Sequence, residues 1–319
     1  MNYKRAFEVL NKLKPIGDMF YSPISLNTAL SLYSEIIEDS VAKDEIKAFT
    51  EQDYSNYKAT SPCYNINNVL WLDKNKNFNT SGISFPVREI DMTAKDATKI
   101  KNDYVNQVTN GFIPSTPTEF NELTVMDLMN VVYFKDNWAS GQLTFDEDKT
   151  NFHNFDGTTA NIKLMKYKSY GYFENDTCYV IHLPYKSGLM CYLVYPKNTI
   201  ETVVLDGLKP IDEQINIKFP SFETSVNFDI TKFASKLGLS NFENSVLTFD
   251  KEFSRPSISH SAKIRMDTFG TVAAAVTEIV RTRGICLDKP MELIFDKPFA
   301  YFILDGNNDT LFMGRLAKL

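Results

Sequence analysis

The spacing of apolar residues changes along the chain, from a helical period in the first third to the pattern of short strands afterwards. Residues 94–110 predict a helix that ends at Asn110-Gly111, a common helix stop. One stripe of this helix is apolar: Ala97, Ile100, Tyr104, Val105 and Val108. Later segments are rich in aromatic and β-branched residues and predict strands: 129–134, 179–183, 190–195, 215–219, 293–295 and 300–304. Early helices followed by runs of strands indicate an α+β fold.

The ends of two further helices are also marked. Ser22-Pro23 supplies an N-cap residue and a proline before an apolar run, and residues 229–237 are closed by Gly238. No internal repeat, charge block or Gly/Ser-rich linker divides the 319 residues. We therefore predict one large domain over residues 1–319, built from several sheets.

The charge balance excludes a strongly basic surface. Against 40 Asp and Glu there are 34 Lys and Arg, a formal net charge of −6. We therefore expect no nucleic-acid and no membrane partner. The N-terminus lacks the continuous apolar core of an export signal, and the four cysteines show no CxxC spacing. These features predict a cytoplasmic protein with free thiols. Secretion is the alternative, and the three glycosylation sequons would matter only in that case.

The sequence carries no motif for catalysis, metal binding or phosphate binding. Its three histidines are isolated, no GxSxG elbow accompanies them, and neither GxxxxGK[ST] nor GxGxxG occurs. The histidines and cysteines also lack the clustering of zinc ligands. We expect a protein that is not an enzyme, with no catalytic residue, metal or cofactor.

Residues 270–280, GTVAAAVTEIV, are small or β-branched at nearly every position. An Ala-rich helix is one interpretation, but the β-branched residues weaken it. As a strand, the segment has one small, neutral face: Thr271, Ala273, Ala275, Thr277 and Ile279. Its one charged residue, Glu278, lies on the opposite face. Such a strand can enter an existing sheet without burying a charge against the layer beneath.

This segment resembles the hinge of the serpins, a family of protease inhibitors. Ten further motifs follow in the order of that family: 20–30, 65–71, 100–113, 129–138, 183–185, 219–222, 236–239, 259–262, 297–299 and 311–315. The most specific is MNVVYFKDNW at 129–138. The resemblance implies the serpin fold, with sheets A, B and C, a cluster of helices and an exposed reactive-centre loop at about 268–290.

The resemblance also assigns roles to individual residues. It identifies a polar "shutter" cluster beneath the centre of sheet A, formed by Ser22, Ser25, Asn130 and His260, and we expect His260 to hydrogen-bond to Asn130. Trp138 corresponds to the "breach" at the top of that sheet. The hinge comprises Gly270, Thr271, Ala273, Ala274, Ala275 and Thr277.

In serpins, a protease cleaves the exposed loop, and the hinge then inserts into sheet A as a new strand. Arg283-Gly284 is the preferred cleavage position, since an arginine suits a trypsin-like pocket. Arg281 is the second choice, and Asp288 would suit a caspase or a granzyme-B-like enzyme. The implied partner is a host protease, bound by a monomeric inhibitor.

Two features depart from the family pattern. Thr268-Phe269 stand where acidic residues usually precede the hinge glycine, and the loop is long. They keep a second hypothesis open: a non-inhibitory serpin-fold protein that binds a host partner. The chain is also short for a serpin, with losses at the N-terminus and in residues 38–62. That trimmed form is similar to the poxvirus serpins, which implies a viral, immunomodulatory protein.

Overall fold

The computed structural model describes residues 1–14, 17–57, 62–116, 119–242, 245–248, 258–271 and 290–319. By its internal contacts the chain divides into two units. The first contains Met1, Tyr21–Tyr133 and Ser225–Lys263, and the second contains Asn2–Phe20, Phe134–Thr224 and Ile264–Leu319. The two units are groups of residues with many internal contacts and do not test the number of domains. The single domain over residues 1–319 therefore stays a prediction.

Helices form where the sequence supplies caps. They are α1 Tyr3–Leu13, α2 Pro23–Glu35, α3 Ser40–Thr50, α4 Ala97–Val108 and α5 Ala234–Leu237, with 3-10 turns at Ile200–Thr202 and Ile230–Phe233. The Ser22 side chain accepts a hydrogen bond from the backbone N–H of Ser25, which confirms the predicted start of α2. The helix predicted at 229–237 is instead a 3-10 turn followed by α5, and Gly238 closes it with φ 86°.

The helix predicted over residues 94–110 is shorter in the structure. α4 begins at Ala97 and ends at Val108. Asn110 and Gly111 adopt positive φ values of 51° and 81°, which end the helical path as the sequence indicated.

The buried face of α4 also differs from the predicted stripe. Ala97 and Val105 are buried as expected, whereas Ile100 is 44% exposed. Lys101 is buried instead. Its ammonium group forms an ion pair with the buried Asp127, a partner that the apolar pattern of the helix cannot reveal.

Strands occur at every predicted segment, and several of them are longer than predicted. In chain order they are β1 Met19–Tyr21, β2 Tyr64–Asp73, β3 Val87–Ile90, β4 Met126–Phe134, β5 Asp136–Asn137, β6 Thr144–His153, β7 Thr159–Glu174, β8 Cys178–Pro184, β9 Met190–Pro196, β10 Lys209–Pro220, β11 Phe222–Asp229, β12 Ile258–Met266, β13 Gly270–Thr271, β14 Met291–Ile294, β15 Phe299–Leu304 and β16 Thr310–Leu316. Five of the six predicted segments lie inside an observed strand. The sixth, 293–295, extends one residue past β14.

In the first unit, the sheet has the order β3-β2-β4-β12, with β11 also paired to β12. β2 and β3 are parallel, and so are β4 and β12. A hydrophobic cluster joins α4 to one face of this sheet; it includes Val69, Trp71, Ala97, Val105, Met129 and Val131. Because successive side chains of a strand alternate, Asp127, Met129 and Val131 of β4 share the face covered by α4.

In the second unit, a sheet follows the order β1-β16-β15-β9-β8-β7-β10-β14, with β6 added beside β7. Its closing strand, β14, runs parallel to β10. A short ladder pairs β13 with β5 and with Met266 of β12, in continuation of the sheet that contains β12. Helices followed by runs of strands, as predicted, make this an α+β fold.

Candidate functional site

The central feature of the first unit is the direct pairing of β4 with β12. Residues 128–132 of β4 are in register with residues 258–262 of β12, so that Asn130 lies opposite His260. We call these two paired segments the seam. No strand lies between β4 and β12 at the seam, and a strand could be added there only if the inter-strand hydrogen bonds were broken.

Asn130 is the centre of a buried hydrogen-bond cluster on one face of the seam. Its Oδ1 accepts from the Ser25 hydroxyl at 2.8 Å. Its Nδ2 donates to Asn68 Oδ1 at 2.8 Å and to the Ser25 carbonyl oxygen at 3.2 Å. Ser22 joins the cluster through Ser25, as the N-cap of α2. These residues, with His260, are called here the α2-side cluster.

The hydrogen bond expected between His260 and Asn130 is present. Since Asn130 Oδ1 can only accept, His260 Nδ1 is the donor, at 2.5 Å. The imidazole packs against Phe228, with ring centroids 5.1 Å apart. Burial lowers the pKa of His260 from 6.5 to about 3, so the ring is neutral near pH 7. This bond therefore joins β12 to β4 through neutral side chains.

The predicted hinge begins in the second unit, at β13. Gly270 and Thr271 pair with Asn137 and Asp136 of β5, and Thr271 also pairs with Met266. A Cβ atom on Gly270 would lie 2.1 Å from the carbonyl oxygen of Asp136, and φ is 154°. Glycine is therefore required at this position.

Thr271 is fully buried, and its hydroxyl is 2.7 Å from the hydroxyl of Tyr185. Tyr185 stacks on Trp138 with ring centroids 4.7 Å apart. Trp138 Nε1 donates to the carbonyl oxygen of Asp267 at 2.9 Å. The first residues of the hinge are thus held among aromatic side chains in an extended conformation.

The turn before the hinge is held through its backbone. The N–H of Leu143 donates to the carbonyl oxygen of Thr268 at 2.7 Å, and the N–H of Trp138 donates to that of Phe269 at 3.0 Å. Phe269 N–H donates to the Asp267 carboxylate at 2.9 Å. This turn is therefore held by the backbone carbonyl groups of Thr268 and Phe269 and by the carboxylate of Asp267.

The rest of the hinge and the predicted cleavage positions lie outside the described residues. This group comprises Ala273, Ala274, Ala275, Thr277, Arg281, Arg283, Gly284 and Asp288. The structure bears only on the start of the hinge, through Gly270 and Thr271, and these predictions about the loop stay predictions.

Sequence reasoning missed several partners in the site. Asn68 lies in the motif at 65–71, but nothing in three asparagines within four residues marks the one that reaches Asn130. Tyr185, the partner of Thr271, also lay in a motif without an assigned role. The Ser259 hydroxyl donates to Asp127 Oδ1 at 2.9 Å, a second side-chain bond from β12 to β4. A strand prediction cannot identify this bond, because the two residues are separated by 132 positions in the chain.

Within the described ranges, no group of three or more His, Cys, Asp and Glu side chains is placed to hold a metal ion. The helices of that same part of the chain are all too short or too polar to cross a membrane.

Comparisons with known proteins agree with this geometry. The family model for serpins (serine protease inhibitors) matches residues 4–319. The mouse leukocyte elastase inhibitor A is 25% identical over 365 aligned positions, which cover 98% of this chain and 96% of the relative.

Two solved structures have the same fold. Serpin48 of the insect Tenebrio molitor matches with a TM-score of 0.79 and 20% identity, covering 98% of this chain and 95% of that one. Human thyroxine-binding globulin in complex with thyroxine matches with a TM-score of 0.79 and 22% identity, covering 99% and 95%. Since the family model spans nearly the whole chain and the fold agrees, the chain belongs to the serpin family.

Proposed function

We propose that this chain inhibits serine or cysteine proteases as a suicide substrate, by cleavage of its reactive-centre loop and insertion of the hinge between β4 and β12. The observation that carries the proposal is a hinge already started as a strand at Gly270-Thr271 while the seam is closed. This is the arrangement expected before cleavage. The small face of the following residues, Ala273, Ala275 and Thr277, suits their entry into a buried strand.

The proposed chemistry uses the nucleophile of the protease, and we propose no catalytic activity for this chain. A serine hydroxyl attacks the carbonyl carbon of the bait residue and loses its proton to the histidine of the protease. The peptide C–N bond breaks, and the new amine leaves with that proton. The bait residue stays joined to the protease by an ester. If the hinge inserts before water attacks this ester, the protease is displaced with it and its active site is distorted.

Because the seam is closed, the rate of insertion determines how long the chain stays in the closed form, whatever the free-energy difference between the two forms. In the α2-side cluster, the hydrogen bond from His260 to Asn130 joins β12 to β4, and it must break before a strand can enter. The chain can therefore remain in the closed form, although an inserted form would have one more buried strand.

We propose the Arg283-Gly284 bond as the bait, with a trypsin-like protease as the target. The support is spacing: fourteen residues beyond Gly270 is Gly284, so Arg283 lies one residue away. Arg281-Thr282 is the second candidate bond. Asp288 would instead serve a caspase or a granzyme-B-like protease, which fits the cytoplasmic location that we also propose. We propose that the inhibitor is monomeric, and we propose a viral, immunomodulatory setting because the shortening at residues 38–62 is similar to that of the poxvirus serpins.

The test is incubation of the chain with trypsin-like proteases, caspases and granzyme B, followed by a denaturing gel and N-terminal sequencing of the released peptide. We expect an SDS-stable complex of chain and protease, and a new N-terminus at Gly284. Cleavage without any covalent complex would contradict the inhibitory mechanism. A new N-terminus at Thr282, or after Asp288, would reassign the bait residue.

A second candidate function is a non-inhibitory serpin that binds a host partner. It is favoured by Thr268-Phe269, which stand where acidic residues usually precede the hinge glycine, and by the long loop. One structural neighbour, thyroxine-binding globulin, is described in complex with a small ligand. Rapid cleavage of the loop with no gain in thermal stability would favour this candidate.

A further inference from the structure

Side chains join β4 to β12 on both faces of the seam. On the face covered by α4, these side chains include an ion pair. Lys101 of α4 and Asp127 of β4 are both buried, with side chains 1% exposed, and Lys101 Nζ lies 3.6 Å from Asp127 Oδ2. The same ammonium group lies 4.2 Å from the centre of the Phe120 ring. A buried ion pair is costly to remove from water and needs a specific reason to be present.

The other oxygen of Asp127 reaches across the seam. Asp127 Oδ1 accepts a hydrogen bond from the hydroxyl of Ser259, on β12, at 2.9 Å. Burial raises the pKa of Asp127 and lowers that of Lys101, and each charge opposes the shift of the other. We call Lys101, Asp127 and Ser259 the α4-side bridge; it links α4, β4 and β12 through one carboxylate.

The bridge and the α2-side cluster lie on opposite faces of the same strands. Asp127 shares its face of β4 with Met129 and Val131, which pack with residues of α4. Asn130 points to the other face, where it bonds to Ser25 of α2. On β12, Ser259 and His260 are adjacent and therefore also point to opposite faces. One bond on each face, Ser259 to Asp127 and His260 to Asn130, joins β12 to β4.

We propose that the α4-side bridge sets the rate at which the seam opens, and that Lys101, Asp127 and Ser259 are positioning residues for hinge insertion. The proposal rests on the proposed function, because it assumes that a strand enters between β4 and β12. When β12 moves away from β4, Asp127 loses the Ser259 hydroxyl but keeps Lys101, which is on α4. The charge of Asp127 therefore stays compensated, and the bond to Ser259 is the one that must break.

The test measures seam opening without a protease. A fluorescent synthetic peptide with the sequence of residues 270–280 is incubated with the intact chain, and its uptake is followed on native gels. Ser259→Ala removes the hydrogen bond to Asp127 from the closed state. In the open seam this bond is already broken in the wild type, so the substitution lowers the barrier to opening. We expect uptake to be about tenfold faster than in the wild type, the effect of one hydrogen bond to a carboxylate.

Ser261→Ala is the matched control. Ser261 is a buried serine two residues along the same strand and on the same face, and it is not part of the α4-side bridge. We expect this variant to take up the peptide at the wild-type rate. Equal rates for the wild type, Ser259→Ala and Ser261→Ala would overturn the proposal.

Asp127→Asn provides a second variant in case Ser259→Ala fails to fold. The amide oxygen still accepts from Ser259, but a bond to a neutral acceptor is weaker than one to a carboxylate. Faster uptake is again expected, and an unchanged rate contradicts the bridge. The result also separates the two proposals. Faster uptake in Ser259→Ala together with no covalent protease complex supports the bridge and rejects inhibition, whereas a covalent complex with unchanged uptake rates does the reverse.

Discussion

At the scale of single residues, the site depends on a few polar groups whose partners are fully specified. Asn130 contacts α2, β2 and β12 through one side-chain amide. Thr271 is buried against Tyr185, and Gly270 allows the close approach of β5. Substitutions at these positions therefore leave buried groups unpaired or create direct clashes, and their effects can be predicted in direction.

Thr271→Arg is expected to reduce the yield of SDS-stable protease complex by more than tenfold, because an unpaired guanidinium would be buried beside Tyr185. Cleavage of the loop should continue, so that the variant becomes a substrate. Thr271→Ser keeps the hydroxyl and serves as the control, with a yield near that of the wild type. The measurement is densitometry of denaturing gels, and an Arg variant with undiminished complex would contradict the role of the hinge.

His260 predicts a pH dependence of stability. In the unfolded chain its imidazole binds a proton below the ordinary pKa of 6.5, but in the native chain it stays neutral down to about 3. The unfolded state therefore binds more protons between these values, and native stability falls as the pH is lowered through that window. Between pH 7 and pH 4, the wild type should lose about 3 kcal/mol more than His260→Gln.

Thermal unfolding of both proteins at a series of pH values checks this prediction. The comparison with His260→Gln removes the effect of the carboxylates, which titrate in the same range in both proteins. Parallel pH profiles would show that His260 is not held neutral by burial.

At the scale of elements, the two faces of a strand have different functions. The hinge as a strand would place Ala273 on its small face and Glu278 on the opposite one. Similarly, β4 directs Asn130 and Asp127 to opposite sides of its sheet. The consequence is that a substitution on one face of an inserting strand should act differently from the same substitution on the other face.

Ala273→Arg should convert the chain from inhibitor to substrate, raising the amount needed to inactivate one protease molecule by roughly tenfold, since a charge would enter the buried face of the new strand. Glu278→Arg is the matched variant. It places the same side chain where the wild type already has a charge, and should change the stoichiometry less than twofold. Titration of a trypsin-like protease gives both values. Equal effects of the two substitutions would contradict the assignment of the faces.

The sequence predicted the strands better than the buried face of α4. Aromatic and β-branched runs such as 190–195 and 300–304 are local signals, and they formed strands at those positions. The position of Lys101 inside and Ile100 outside depends on Asp127, 26 residues later in the chain, so no helical pattern could reveal it. For the site, the pairing of His260 with Asn130 followed from the family resemblance. Asn68 and Ser259 could not be found because their partners are distant in sequence.

At the scale of the whole molecule, the proposed mechanism requires two states of one chain. In the state described here, β4 pairs directly with β12. Insertion would give each of these strands a new neighbour and would place the hinge residues after Thr271 between them. The inserted state is expected to be lower in free energy, because it has more buried apolar surface and more inter-strand hydrogen bonds.

Cleavage of the loop should therefore raise the thermal midpoint of the chain. The measurement is differential scanning calorimetry of the intact chain and of the chain cleaved by a trypsin-like protease. The Thr271→Arg variant, cleaved in the same way, is the control and should show little or no rise. A cleaved wild-type chain with an unchanged midpoint would indicate that the hinge stays outside the sheet.

The direct pairing of β4 with β12 also determines the lifetime of the closed form of the protein. Barriers that require the simultaneous loss of many packed contacts have large activation enthalpies, and their rates rise about 3–6-fold per 10 °C. Under the proposed mechanism, a chain whose seam opens and takes up its own hinge without a protease would no longer be able to inhibit. The half-life of the closed form should consequently fall steeply as the temperature rises, even where the free energy of unfolding changes little.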